Sequence, residues 1–283
     1  MKKMINVLYS GNGKVFDGVL TSTLSLVRRL KAPRPLRVYL YTMTLTRVSP
    51  NYTAMGEEHA RFIEKALQKH NPDTKVILCD VTDLYETHLK MNANEGCYCS
   101  PYTLLRLLAD LTEMPDKLLY LDADIMINRD IGELYDIDVE NYEYAAAPDH
   151  YGKYLVNPGY INAGVLLFNM KKCRETGLFE KARELIRIKK LPFADQSAII
   201  RSTTKKMRKL LPQKFNDQKF LHEYTVIRHF SKRMFWLPYP HTDNIKQWHV
   251  EKVHKVFKYH QFDDILNEYL ALKAEFDNSQ KTE

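Results

Sequence analysis

The sequence predicts an α/β fold in which a mainly parallel central sheet carries helices on both faces. Three observations predict it. Short apolar runs of strand length alternate, as far as Leu121, with stretches whose apolar residues recur at helical spacing. The runs are almost continuously apolar, as strands covered on both faces are. The chain, 283 residues long and 45% hydrophobic, is long enough to bury the core that such layers need.

The elements follow in order. Residues 4–9 read as a first strand, apolar up to the stop at Ser10-Gly11-Asn12-Gly13. Residues 19–30 have helical spacing in Val19, Leu20, Thr23, Leu24, Val27 and Leu30. Residues 36–42 are a second strand, 55–69 a second helix and 75–80 a third strand. Residues 103–111 are a third helix, followed by the intensely apolar strand 117–121. The second half is less regular, with strands at 144–148, 164–169 and 225–230 and helices at 178–188 and 195–202. Residues 235–249 hold two prolines and many aromatics and read as a packed loop. Residues 262–276 are amphipathic helix, and the polar run after Asp277 is expected to be disordered.

Bulk properties narrow the function. No apolar stretch approaches the roughly 18 residues of a membrane span. The opening Met-Lys-Lys imitates a secretory leader, but the apolar run behind it is too short, so a cytoplasmic protein is expected. Cys79, Cys97, Cys99 and Cys173 have no zinc-ligand spacing and read as reduced structural thiols. Net charge is +7, yet residues 201–260 alone hold 14 Lys/Arg against 4 Asp/Glu. That block, with Phe230, Phe235, Trp236, Tyr239, Trp248, Phe257 and Tyr259, suits peripheral contact with an anionic membrane. A solvated basic face and a nucleic-acid surface are the competing readings.

Parallel sheets bind ligands beyond the carboxyl ends of their strands. The fourth strand runs there into Leu119-Tyr-Leu-Asp-Ala-Asp124. Side chains alternate on a strand, so Asp122 and Asp124 point the same way, with Cα atoms roughly 7 Å apart. Two carboxylates at the end of an apolar strand repel each other and are costly to desolvate. A divalent cation resolves both problems, and oxygen ligands completed by a diphosphate suit Mg²⁺ or Mn²⁺. Ala123 keeps the loop narrow enough for a nucleotide to pack on it. The plain alternative is a pair of acids on a solvated loop.

Further segments in the same order carry a resemblance: Ile5 to Gly13, Ser100-Pro-Tyr-Thr-Leu-Leu-Arg106, Tyr160-Ile-Asn-Ala-Gly-Val-Leu-Leu-Phe-Asn169, Ala194-Asp-Gln-Ser197, Leu211-Pro-Gln-Lys-Phe-Asn216 and Thr225-Val-Ile-Arg-His-Phe230. With the Asp-x-Asp segment they make the chain resemble glycosyltransferase family 8, the group of glycogenin and bacterial lipopolysaccharide galactosyl- and glucosyltransferases. The resemblance implies a GT-A fold over residues 1–250, leaving 251–276 as a helical extension and 277–283 as a tail. It implies a UDP-glucose or UDP-galactose donor, Mn²⁺ (or Mg²⁺), retention of configuration, and a glycan or lipid-linked glycan acceptor, with no nucleic-acid partner.

The resemblance also assigns residues. Asp122, Asp124 and His229 would hold the metal, with His241 the competitor for the third place. Tyr9, Ser10, Asn12, Arg106, Ala123 and Lys246 would bind the nucleotide. Arg106 would clamp the diphosphate or hold the acids, and Lys232 competes with Lys246. Asn162, Ala163, Asp195 and Gln196 would contact the donor sugar, with Asp195 and Gln196 near its reacting carbon. Asp195 also suits a helix N-cap. Two departures stand out. Asn12 occupies the place where the family has an acid that reads uracil, and an insertion separates His229 from Lys246. A sugar-phosphate nucleotidyltransferase is the second reading, but Ser10-Gly-Asn-Gly-Lys14 is only a faint version of its phosphate loop. A non-enzymatic basic protein is the third.

Overall fold

The computed structural model describes residues 3–96, 100–235 and 239–281. Its strands are β1 (Ile5–Ser10), β2 (Leu36–Thr42), β3 (Thr74–Asp80), β4 (Lys117–Leu121), β5 (Ile125–Ile127), β6 (Tyr144–Ala146), β7 (Val165–Asn169), β8 (Arg208–Leu210), β9 (Ile227–His229), β10 (Arg233–Phe235) and β11 (His241–Asp243). Seven of them form the central sheet in the order β3-β2-β1-β4-β7-β6-β8. β1 is parallel to β2 and β4, and β7 runs antiparallel to both of its neighbours. Alternation along the strands divides the core into two layers. Ile5, Val7, Leu119 and Leu121 face one layer, while Leu8, Leu118 and Tyr120 face the other.

Strand order reverses between β1 and β4, so the loops after these two strands splay apart and leave a crevice at their carboxyl ends. Helix Phe16–Arg29 lies against one face of the sheet and is buried all round. Its hydroxyl residues are accommodated by bonding back to their own helix: Thr21 Oγ1 donates to Asp17 O at 2.8 Å and Thr23 Oγ1 to Val19 O at 2.7 Å. Helix Asp263–Ser279 covers its outer side, with Phe276 stacked on Phe16 at 4.4 Å. Ile265, Leu266, Tyr269 and Leu272 thus join the same core layer as β1.

The structure alters several expected elements. The third helix is a 3-10 segment, Pro101–Leu111, opened by Pro101 and capped by the Ser100 side chain on Tyr102 N–H. Strand 225–230 shortens to β9, which pairs with β5 outside the central sheet. The expected loop 235–249 contains β11, which pairs antiparallel with β10. Both strands lie between His229 and Lys246 in the chain. The last helix continues to Ser279, two residues into the run expected to be disordered. Helix Thr82–His88 and helix Met170–Thr176, closed by Gly177 at φ +67°, carried no signal beyond their short length. Cys173 is buried and Cys79 half-buried, while Cys97, Cys99 and Trp236 lie outside the described residues.

Candidate active site

The acids stand where the strand pattern put them, and the small β5–β9 ladder brings the third group to them. β5 begins one residue after Asp124 and pairs Ile125 with His229. Phe230 N–H donates to Asp124 O at 2.7 Å, and Asp122 N–H to Gly164 O at 2.8 Å, which pins both acids at the backbone. His229 Nε2 then lies 3.0 Å from Asp124 Oδ1 and 4.0 Å from Asp122 Oδ2. One ligand atom from each of the three residues falls within 4.8 Å of the others.

His229 Nδ1 is 3.0 Å from Asn216 Oδ1, and Asn216 Nδ2 donates to Asn162 Oδ1 at 2.9 Å. Fixing the Asn216 amide this way makes its oxygen the acceptor, so the ring proton belongs on Nδ1. The Nε2 lone pair of that tautomer points at a carboxylate oxygen 3.0 Å away, an arrangement that calls for a cation between them. The donor set therefore fits a divalent metal. Gly164 leaves the necessary room: a Cβ there would sit 2.8 Å from Asp122 Oδ2 and collide with the His229 ring.

Arg106 lies beneath the acids, 2% exposed, and not at the mouth of the cleft. Its Nη2 donates to Asp122 Oδ1 at 2.9 Å, its Nε approaches Asp195 Oδ2 at 3.2 Å, and its guanidinium lies over the Tyr120 ring at 3.9 Å. Nη1 donates to the Ala163 carbonyl. Of its two expected roles, this position serves holding the acids. Burial drives the Asp195 carboxyl upward, Arg106 draws it back down and Asp122 adds to the rise, leaving it above the usual carboxylate range. Burial also pushes Asp124 upward, but the Lys246 ammonium beside it outweighs burial and holds the carboxyl well below that range.

The other expected residues divide into cleft walls and supports. Ser10, Asn12, Ala123 and Lys246 line a cleft of about 440 Å³ together with Lys14, Tyr52, Tyr102, Tyr120 and Trp248. Lys246 Nζ reaches Asp124 Oδ2 at 2.5 Å and Phe230 O at 3.1 Å. Tyr9 is a correction: its side chain is fully buried, with its hydroxyl on Ser22 Oγ at 2.9 Å, because β1 alternation turns it into the core under helix Phe16–Arg29. Asn12 Oδ1 caps the turn that follows, accepting from Lys14 N–H at 3.3 Å. Asn162 is held from both ends, by Asp149 Oδ2 at 2.9 Å and by Asn216. Gln196 Oε1 accepts from Ala163 N–H at 2.9 Å. Asp195 is not the helix cap: Phe193, at φ 50°, takes that place and Asp195 sits in the first turn of Ala194–Ser202.

His241 stands on β11, stacked on Phe235 with its Nδ1 2.7 Å from Tyr239 O, and is not in the acid cluster. The basic stretch is partly interior. Arg228 is 1% exposed and lies over the rings of Phe230, Phe257 and Tyr259 at 4.8, 5.7 and 5.7 Å. Among the described residues no helix is long and apolar enough to cross a membrane.

Sequence reasoning missed Asn216, Gln247, Tyr52 and Trp248 as parts of the site. In the sequence Asn216 is only the end of a matching segment. Gln247 is fully buried, and its Nε2 ties Ala123 O, at 2.8 Å, to Thr21 Oγ1 on the first helix, at 3.0 Å.

The family model for glycosyl transferase family 8 matches residues 6–234. Glycosyltransferase GlyA of Streptococcus pneumoniae is 27% identical over 179 residues, 62% of this chain and 22% of that protein. The matched part of this chain spans between 8% and 29% of the length of its curated relatives. Among solved structures, glycosyltransferase GlyE of Streptococcus pneumoniae superposes with a TM-score of 0.64 at 21% identity, over 95% of this chain and 64% of that one. The galactosyltransferase LgtC, crystallised with donor and acceptor sugar analogs, gives 0.63 at 15% identity, over 94% and 96%. These likenesses establish the GT-A fold.

Proposed function

Since the chain belongs to glycosyltransferase family 8, we propose that it moves a hexose, glucose or galactose, from a UDP-sugar to an acceptor hydroxyl with retention of anomeric configuration. The observation that carries this reading is the convergence of Asp122, Asp124 and His229, with both acids and Lys246 lining a nucleotide-sized cleft. Tyr52 and Trp248 give that cleft aromatic surface suited to a nucleobase. Mn²⁺, or Mg²⁺ in its place, would neutralise the charge that develops on the leaving diphosphate.

The chain's own groups do the rest. Lys246 supplies a fixed cation next to the acids, positioned for a diphosphate oxygen. Arg106 keeps Asp122 and Asp195 in register, and Gln196 holds the Ala163 backbone against them. Asp195 is 6% exposed and paired to Arg106, which suits positioning rather than nucleophilic attack. We therefore favour front-face attack: the acceptor hydroxyl bonds to the anomeric carbon as the carbon–diphosphate bond breaks, and a diphosphate oxygen takes the proton. A glycan or lipid-linked glycan acceptor, a cytoplasmic site of action at the membrane face and a part in cell-surface polysaccharide or lipopolysaccharide synthesis complete the reading. The exposed part of the basic stretch 201–260 would meet the membrane.

The test is a thermal-shift screen with UDP, GDP, ADP and several UDP-sugars, each with Mn²⁺ or EDTA. Ligand at about 100 times its Kd adds roughly 2.7 kcal/mol of apparent stability. Mn²⁺-dependent stabilisation by UDP and by one UDP-hexose is expected. Equal shifts with EDTA, or none with any uridine nucleotide, would sink the donor assignment.

A further inference from the structure

Away from the cleft, the segment leading into the last helix gathers a second group of ligand-bearing side chains. His254 lies in the π-turn Val253–Phe257, His260 two residues beyond Lys258, and Asp263 is the first residue of helix Asp263–Ser279. His254 Nε2 is 2.6 Å from Asp263 Oδ1, and His260 Nδ1 is 3.1 Å from Asp263 Oδ2. The two imidazoles stack at 4.6 Å with 21° between their planes, and ligand atoms of all three residues lie within 4.8 Å of one another.

The backbone fixes this arrangement. Val253 and Phe262, the residues immediately before His254 and Asp263, are buried in the core at 0% and 1% exposure. Between them the chain makes a π-turn and passes through Lys258 at φ 57°, a left-handed conformation costly for a residue other than glycine. The turn so formed delivers both rings to one carboxylate.

We propose that His254, His260 and Asp263 form a second cation site, suited to a borderline transition metal of the Zn²⁺ class, with water as the fourth ligand. Two imidazole nitrogens and one carboxylate oxygen match that preference, whereas Mg²⁺ and Mn²⁺ favour the oxygen-rich set at the cleft. A tetrahedral Zn²⁺ with ligands at about 2.0–2.1 Å holds its ligand atoms roughly 3.3 Å apart, so small side-chain rotations admit it. The side chains are 32%, 65% and 38% exposed, which leaves the water position open to solvent. A metal here fastens the last helix to the segment that carries Lys246 and Trp248. The second site stands on its own geometry and does not depend on the sugar chemistry.

The experiment is calorimetric titration of the full chain with ZnCl₂, in an Asp122→Asn/Asp124→Asn background that silences the cleft site. One Zn²⁺ per chain is expected, not displaced by excess Mg²⁺. Adding His260→Ala, an exposed position whose loss leaves the core intact, should weaken binding at least about tenfold, and His254→Gln should do the same. If the silenced chain fails to fold, the comparison is made between the unaltered chain and His260→Ala alone, where one class of Zn²⁺ site should weaken by the same factor. Unchanged Zn²⁺ number and affinity in both histidine variants would overturn the site, as would no Zn²⁺ binding up to about 1 mM in the silenced chain.

Discussion

Two clusters of the same residue types, in opposite proportions, sit at different depths of this chain. Asp122, Asp124 and His229 are 27%, 16% and 4% exposed, and each is held by further groups. His254, His260 and Asp263 are 32%, 65% and 38% exposed and hold chiefly one another. Under the two proposals, the difference separates a site for chemistry from one for fastening. At the cleft, Arg106, Tyr120, Asn216 and Lys246 fix the side chains before any ligand arrives. At the second cluster a single carboxylate joins two rings.

The sharpest way to break this comparison is Asp124→Ala. Under the proposed function it removes a metal ligand and the partner of Lys246, so transfer should fall at least about a thousandfold. His260→Ala should leave transfer unchanged. Rates would be measured with added Mn²⁺ and with EDTA, alongside circular dichroism to confirm folding. Near-wild-type turnover of the Asp124 variant in EDTA would refute the metal model.

Asn216→Ala probes the support rather than the ligand. It frees His229 Nδ1, and metal affinity should drop about 10–100-fold, the usual effect of losing a group that orients a ligand. Saturating Mn²⁺ should restore the rate if orientation is the whole role. An unaltered metal dependence would show that the β5–β9 ladder alone fixes the ring. Gly164→Ala pushes from the other side, because its Cβ must displace Asp122 or His229. A cost of about 1–3 kcal/mol in stability is expected by chemical denaturation, with weaker Mn²⁺ binding. A variant as stable as the unaltered chain would mean that the loop yields.

How much of this was legible in the sequence follows from the range of the signals. β1 to β4 and the first two helices announce themselves because each is a local run whose apolar pattern has one reading. Asp122 and Asp124 were legible for the same reason, being two residues apart on a strand end. β5 and β9 are three residues each and pair across about a hundred positions, so their ladder, and with it the placement of His229 against Asp124, has no local trace. Asn216 is invisible for a related reason: an asparagine after a 3-10 turn is an ordinary loop residue until β9 folds against it. Arg106 and Tyr9 show a different limit. Segment matching places them near the cleft, but one residue of strand alternation, or one turn of 3-10 helix, decides whether a side chain lines the wall or supports it from behind.

The smallest expected effect concerns the joint beside the second cluster. Asp263 holds the two histidines, while its neighbour Asp264 reaches the other way, to Arg29 at 2.9 Å and Arg28 at 3.0 Å on helix Phe16–Arg29. The hydrogen bonds from Arg29 hold the Asp264 carboxyl below its usual range, outweighing the opposing effect of burial. A carboxyl whose folded value lies below the unfolded one, about 3.9, adds stability at pH values above the unfolded value. That stability is lost as pH falls through the folded value. Asp264 is 39% exposed, so the pair is worth no more than about 1 kcal/mol. The stability gap between the unaltered chain and Asp264→Asn should therefore be small and constant from about pH 5 to 7, and should close below about pH 4. A gap that persists at low pH would mean that the contact stabilises through packing of the arginine stems, not through charge. The joint would then depend on the core beneath it and on the histidine cluster alone.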